Sequence, residues 1–169
     1  IAIIFNGEIY NYKELKEDLI KRGYNFSTRS DTETILHLYE EFGEDCVKYL
    51  QGMFVFVVYE IPKCKLFFAR DRIGEKPLYY WFKNGRLVFA SEIKSILECE
   101  EVPREPYLPA LNSYLTLRYS AGLDTMFSGI QKLPAAHWAT WENGQFQIKR
   151  YWDPKTHSGL YQPDSYYEN

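Results

Sequence analysis

The sequence predicts a layered α+β domain, with its helices near the start of the chain and antiparallel strands making up most of the rest. Three observations carry this prediction. Apolar positions over residues 11–42 recur with helical spacing. From Met53 onward, short runs rich in β-branched and aromatic residues take over. These runs are joined by turns such as Lys83-Asn84-Gly85 and Asn143-Gly144, which favour hairpins over the strand-helix alternation of a doubly wound sheet.

The chain opens IAIIFNGEIYNY. IAIIF is continuously apolar, which predicts a strand over residues 1–5 that is covered on both faces and stops at Asn6-Gly7-Glu8. A strand of that kind needs neighbours on both sides, and no initiator Met precedes it, so the chain is expected to start inside its domain. The first helix spans residues 11–22: Tyr12, Leu15 and Leu19 share a face, Asn11 and Glu14 make a capping box, and Gly23 closes the end. Ser30-Asp31-Thr32-Glu33 repeats the capping-box pattern and opens a second helix, with Ile35, Leu38, Tyr39 and Phe42 inward and Gly43 as the stop. GEDCVKYL adds one or two turns.

The strands MFVFVVYE, KLFFAR, PLYYWF and RLVFA follow, separated by Pro62-Lys63, by residues 71–76 and by residues 83–85. Short helices are expected at residues 92–97, with Ser91 as cap, and at 109–117. HWATWE and QFQIKRY form a last hairpin. Past Trp152 the periodicity is lost, and residues 153–169 read as a linker after a domain over residues 1–152.

Composition narrows the function classes. With 169 residues, 46% of them hydrophobic and 25% charged, the chain suits one globular domain with a substantial core. Aromatic residues make up 18%, which predicts a core filled by large rings. A net charge of -3 and the lack of a basic stripe argue against nucleic-acid binding. No apolar run approaches the ~20 residues that cross a bilayer, and there is no signal-peptide pattern, so a cytoplasmic protein without a membrane partner is expected. Cys46, Cys64 and Cys99 are odd in number and far apart, and His37, His137 and His157 are equally scattered. Neither a disulfide framework nor a metal site is predicted.

Asn6-Gly7 most often marks a hairpin, but here a helix follows and no second strand. A strand ending in an Asn amide beside a bare Gly N–H offers two neutral donors at one point, which is how an oxyanion hole is built. Glu8, just beyond, is placed to bind a cation such as an α-ammonium group. Asp31 reads first as a helix-capping acid. ARDRIGEKPLYY crowds five charges into a turn, and its plainest reading is a solvated loop with one or two salt bridges. The three cysteines read as small hydrophobes, because none has a histidine neighbour to activate it.

Taken in order, FNGEIYNYKEL, RSDTETILHLYEEFGEDCVKYLQGMFVFVVYE, ARDRIGEKPLYY, FASEIKSIL, IQKLPAAHW and RYWDP resemble the glutamine-hydrolysing asparagine synthetases over about residues 1 to 154. The resemblance implies the later part of a class II glutaminase domain, an αββα sandwich of the N-terminal-nucleophile hydrolase type. It also implies that Asn6 and Gly7 form the oxyanion hole, that Glu8 and Asp31 hold the α-ammonium of glutamine, and that residues 153–169 lead toward a synthetase domain. ATP and Mg belong to that synthetase domain, no cofactor to these residues, and the resemblance leaves room for a homodimer.

The departures matter too. The family's N-terminal nucleophilic Cys and its carboxylate-binding Arg would lie upstream of Ile1, so the 169 residues by themselves are expected to bind glutamine without hydrolysing it. No SGGxDS-type pyrophosphate loop is present, Glu75 stands where an aliphatic residue is usual, and SAGLDTMF lacks the usual proline. A β-lactam synthetase-like relative without glutaminase activity and a non-catalytic glutamine-binding module are the alternatives. Other class II amidotransferases share Asn-Gly-Glu but fit the KPLYY, KLPxxH and RYW stretches less well.

Overall fold

The computed structural model describes residues 1–120 and 122–154; most of the linker expected at 153–169 lies outside the described residues. Apart from β6, the elements follow the predicted order: β1 (Ala2–Ile9), α1 (Tyr12–Lys21), α2 (Asp31–Phe42), a 3₁₀ segment (Gly43–Lys48), β2 (Gly52–Glu60), β3 (Lys65–Arg70), β4 (Tyr79–Lys83), β5 (Arg86–Ala90), α3 (Ile93–Leu97), α4 (Leu108–Leu117), β6 (Ile130–Lys132), β7 (His137–Glu142) and β8 (Gln145–Arg150). One antiparallel sheet runs β1-β2-β3-β7-β8, and a second runs β5-β4-β6.

Alternation along the strands sorts the side chains into three apolar layers. Phe54, Phe56, Val58, Phe67 and Ala69 meet Leu19, Ile35, Leu38 and Tyr39 of α1 and α2. Val55, Val57 and Phe68 turn the other way and meet Leu78, just before β4, and Tyr80 and Phe89 of the second sheet. Trp81, Ile130, Tyr79 and Val88 cover the outer face of that sheet together with Ile93 and Ile96 of α3. The result is α+β with helices outside two face-packed antiparallel sheets, the four-layer arrangement expected. Rings fill the layers, as the composition predicts: Tyr39 stacks on Phe67 with centroids 4.9 Å apart, and Phe68 meets Phe89 edge-on across the sheets at 4.9 Å. Each such ring taken fully from water contributes roughly 1.5–3 kcal/mol.

Several local expectations change, among them the Ser91 cap: the N-cap of α3 is Glu92, with no side-chain cap bond. The first strand does not stop at Asn6 but runs to Ile9, paired with β2 throughout. It is also covered on one face only: Ile3 and Phe5 pack toward the helices, while Ile4 is exposed. Its one sheet neighbour among the described residues is β2, so an apolar run alone did not reveal which face would be covered. Asn11 does not cap α1; its amide instead donates to the Tyr49 carbonyl (3.0 Å) and accepts from Gln51 N–H (3.0 Å), tying the helix start to the approach of β2. β6, only three residues long, was hidden in IQKLP.

Candidate active site

The candidate site is built on the second half of β1. Gly7 and Gly52 let β1 and β2 approach where side chains would forbid it: a Cβ on Gly7 would lie 2.1 Å from Met53 O, and one on Gly52 2.1 Å from Glu8 O. Both have positive φ, +149° and +152°, open to glycine. Tyr10 N–H donates to Gln51 O at 2.7 Å, so bonded pairs along this ladder fall on even-numbered β1 residues. Gly7, opposite Phe54, belongs to the alternate set. Phe54 has both backbone groups turned away: its N–H donates to Asp71 Oδ2 (3.3 Å), and its carbonyl accepts from Asp71 N–H (2.8 Å). The N–H of Gly7 therefore faces the open edge of β1, like that of Ile9 two residues on.

Asp31 occupies part of that edge. Its Oδ2 accepts the Ile9 N–H at 3.1 Å, and its Oδ1 is 3.4 Å from the donating Ser30 hydroxyl. Ser30 caps α2 as predicted, accepting from Thr32 N–H at 3.1 Å, so Asp31 sits at the positive end of the helix dipole. Glu33 departs from the capping box and reaches back to Ser27 N–H (2.7 Å), Thr28 N–H (2.7 Å) and the Thr28 hydroxyl (2.5 Å). These bonds hold its carboxyl down at about 2, the Thr28 hydroxyl contributing most, and pin the loop that delivers Asp31.

Glu8 is exposed beside this contact, and neither Glu8 nor Asp31 is paired with a cation among the described residues. Asn6 is exposed on the opposite face of the strand from Phe5. It lines a groove of about 150 Å³ whose other walls include Ile4, Val55, Val57, Leu78 and Phe89. Of the four predicted site residues, Asn6 thus faces the groove, Gly7 presents its N–H at the edge, and Asp31 is bonded to the peptide directly after Glu8.

Residues 70–76 are not a solvated loop with salt bridges. Asp71 is 1% exposed and forms no ion pair among the described residues. Its carboxylate accepts five backbone N–H groups: Ile73 (3.1 Å), Gly74 (2.6 Å) and Glu75 (3.0 Å) on Oδ1, Phe54 (3.3 Å) and Lys76 (3.1 Å) on Oδ2. Arg70 spans the same loop from its other side, donating to the carbonyls of Lys76 (2.6 Å), Leu133 (2.5 Å) and Gly74 (2.7 Å). Adjacent strand residues project to opposite faces, so Arg70 and Asp71 each bind backbone instead of each other. Tyr151 OH donates to Arg70 O at 2.8 Å, and Ala136 N–H to Asp71 O at 2.8 Å. The stretches RDRIGEKP, KLPAAH and RYW thus converge behind β2. The sequence signal for this was an Asp three residues before a Gly, the pattern of a side chain closing a turn on its own backbone.

None of the cysteines lies on the groove. Cys46 is fully buried under α2, and burial pushes its thiol well above the usual range; Cys64 is exposed in a turn; Cys99 borders the layer under α3. Among the described residues no group of three or more His, Cys, Asp or Glu is placed to hold a metal ion, and no helix is long and apolar enough to cross a membrane.

Residues 1–152 match the family described as Glutamine amidotransferase domain. Among curated relatives, the chain is 40% identical over 153 residues to "Asparagine synthetase [glutamine-hydrolyzing] 3" of Bacillus subtilis, covering 90% of this chain and 25% of the relative. It is 34% identical over 165 residues to a putative asparagine synthetase (glutamine-hydrolysing) of Methanocaldococcus jannaschii, covering 95% of this chain and 32% of that one. The chain thus spans between a quarter and a third of the length of these relatives. Among solved structures, the glutamine phosphoribosylpyrophosphate amidotransferase of B. subtilis, complexed with ADP and GMP, superposes with a TM-score of 0.59 at 18% identity. That match covers 88% of this chain and 28% of the other, and shows a shared fold.

Proposed function

Because the chain belongs to the glutamine amidotransferase domain family, we propose that the open edge of β1 binds glutamine, with Asn6 and Gly7 gripping its side-chain carbonyl and Glu8 and Asp31 its α-ammonium. The observation that carries the reading is the pair of outward N–H groups on β1. Asp31 fills the one at Ile9, and the one at Gly7 is directed where a ligand carbonyl would lie. Two donors on a carbonyl oxygen draw charge toward it and stabilise the oxyanion that forms when its carbon is attacked. Removing one such donor typically costs ~10²–10³ in rate. The apolar groove walls next to Asn6 raise the worth of each hydrogen bond by excluding water.

In the longer protein, the ammonia released from glutamine would amidate aspartate to asparagine in a synthetase domain that binds ATP and Mg. With its three cysteines away from the groove, the 169-residue chain binds glutamine without turning it over. Calorimetric titration with glutamine tests this reading. Binding is expected, with affinity lowered about tenfold or more by Asn6→Ala and by Asp31→Asn, and with no glutamate released. A chain that binds no glutamine, or variants that bind it as well as the parent, would refute the site.

A further inference from the structure

We propose that Asp71 is a positioning residue for the carbonyl-binding edge of β1: its buried carboxylate fixes Phe54, and Phe54 in turn sets where Gly7 presents its N–H. The proposal rests on reading that edge as the glutamine site. Gly7 has no side chain between its own backbone and β2; a Cβ there would stand 2.7 Å from Phe54 Cα and 2.1 Å from Met53 O. Main chain therefore rests on main chain, and any displacement of Phe54 passes to Gly7 without a side chain to absorb it. The Gly7–Phe54 pair lacks its own ladder bond, and both backbone groups of Phe54 belong to Asp71 instead. Behind Asp71 the loop cannot drift, because Arg70 anchors it to the carbonyls of Leu133 and Gly74 and Tyr151 closes over Arg70.

Asp71→Asn isolates this link. The substitution keeps the shape but turns one acceptor oxygen into a donor, which must face either the three N–H groups on Oδ1 or the two on Oδ2. Facing the two loses fewer bonds, and one of those two is Phe54 N–H. The variant therefore breaks the Phe54 link while the turn over residues 73–75 keeps its acceptor.

The test compares binding of two amino acids by calorimetry. Glutamine offers a side-chain carbonyl; norvaline has the same ammonium and carboxylate but no carbonyl. In D71N the Kd for glutamine is expected to rise about two- to tenfold, the weight of one hydrogen bond, while norvaline binding stays unchanged and the amide NMR signals of Gly7 and Phe54 move. Ile96→Val, in the layer under α3, serves as a generally destabilised control and should leave both ligands unaffected. If D71N does not fold, Arg70→Lys, which keeps the charge but loses the forked contacts to three carbonyls, is read with the same ligands and the same expectation. Unchanged glutamine affinity, or equal losses for glutamine and norvaline, would overturn the positioning role while leaving the site standing. A parent chain that binds no glutamine would overturn both.

Discussion

Replacing Gly52 with alanine probes the close approach on which the candidate site depends. The new Cβ would lie 2.1 Å from Glu8 O and 3.1 Å from both Glu8 C and Ile9 Cα, all of them backbone atoms that no rotamer can move aside. The nearest of these is roughly 1 Å inside the closest approach that real Cβ atoms show. β1 must therefore lift from β2 beside the Tyr10–Gln51 hydrogen bond of 2.7 Å. Overpacking of this kind costs about 1–3 kcal/mol, and holding alanine at φ +152° adds about 1–3 kcal/mol. The sum, ~2–6 kcal/mol, is a large part of the ~5–15 kcal/mol that stabilises a domain. Urea unfolding followed by circular dichroism reads it directly, with an expected fall in midpoint of about 1–3 M. Gly23→Ala is the matched control, because Gly23 also has positive φ (+99°) but its Cβ would meet nothing within 4 Å. If the two substitutions cost the same, or if Gly52→Ala costs under ~1 kcal/mol, the close approach does not constrain β1.

Two further outcomes follow from titrating groups. Glu33 is held down at about 2, so its bonds to residues 27 and 28 stabilise the fold fully above its ordinary value of 4.5 and lose that effect as pH falls through about 2. A carbon-13 titration of the Glu33 carboxyl should show a midpoint near 2, and Glu33→Gln should flatten the acid limb of the stability curve between pH 4.5 and 2; a midpoint near 4.5 would contradict the bonding seen. Among the thiols, exposed Cys64 should react at once with a disulfide reagent in the native chain, whereas Cys46, buried and with its thiolate disfavoured, should react only at the rate of unfolding. Rapid native labelling of Cys46 would show that the layer beneath α2 is not closed.

Much of the fold was legible because periodicity and turn chemistry agree along most of the chain. The helix spacing in residues 12–42 and the Lys83-Asn84-Gly85 and Asn143-Gly144 turns place α1, α2 and two hairpins within a residue or two of their positions. What stayed hidden depends on tertiary partners. IAIIF does not state which face will be covered, since that follows from where the second sheet ends and not from the strand. Asn11 carries a cap signal, yet its amide is used across the fold at Tyr49 and Gln51. At the site, the donors on Asn6 and Gly7 can be inferred from residue type, but the reason for Gly7 is partly its contact with the backbone of Met53 and Phe54 in β2, far along the sequence. The charged turn misled most: a string of Arg, Asp, Arg, Glu and Lys reads as surface, and only the folded chain shows Asp71 folded in on five peptide N–H groups.

The convergence behind β2 also bears on how the chain comes together during synthesis. Arg70 reaches Leu133 over 63 residues and Tyr151 over 81, and β3 takes β7 as its neighbour, so these closures carry a large loop entropy and come late. β1 and its helices are translated before β2 and rest on it, yet the rear support of β2 arrives only with residue 151. A ribosome stalled short of that point would hold a nascent chain whose β1 edge is still unsettled, and whose unfinished sheets remain open to chaperones.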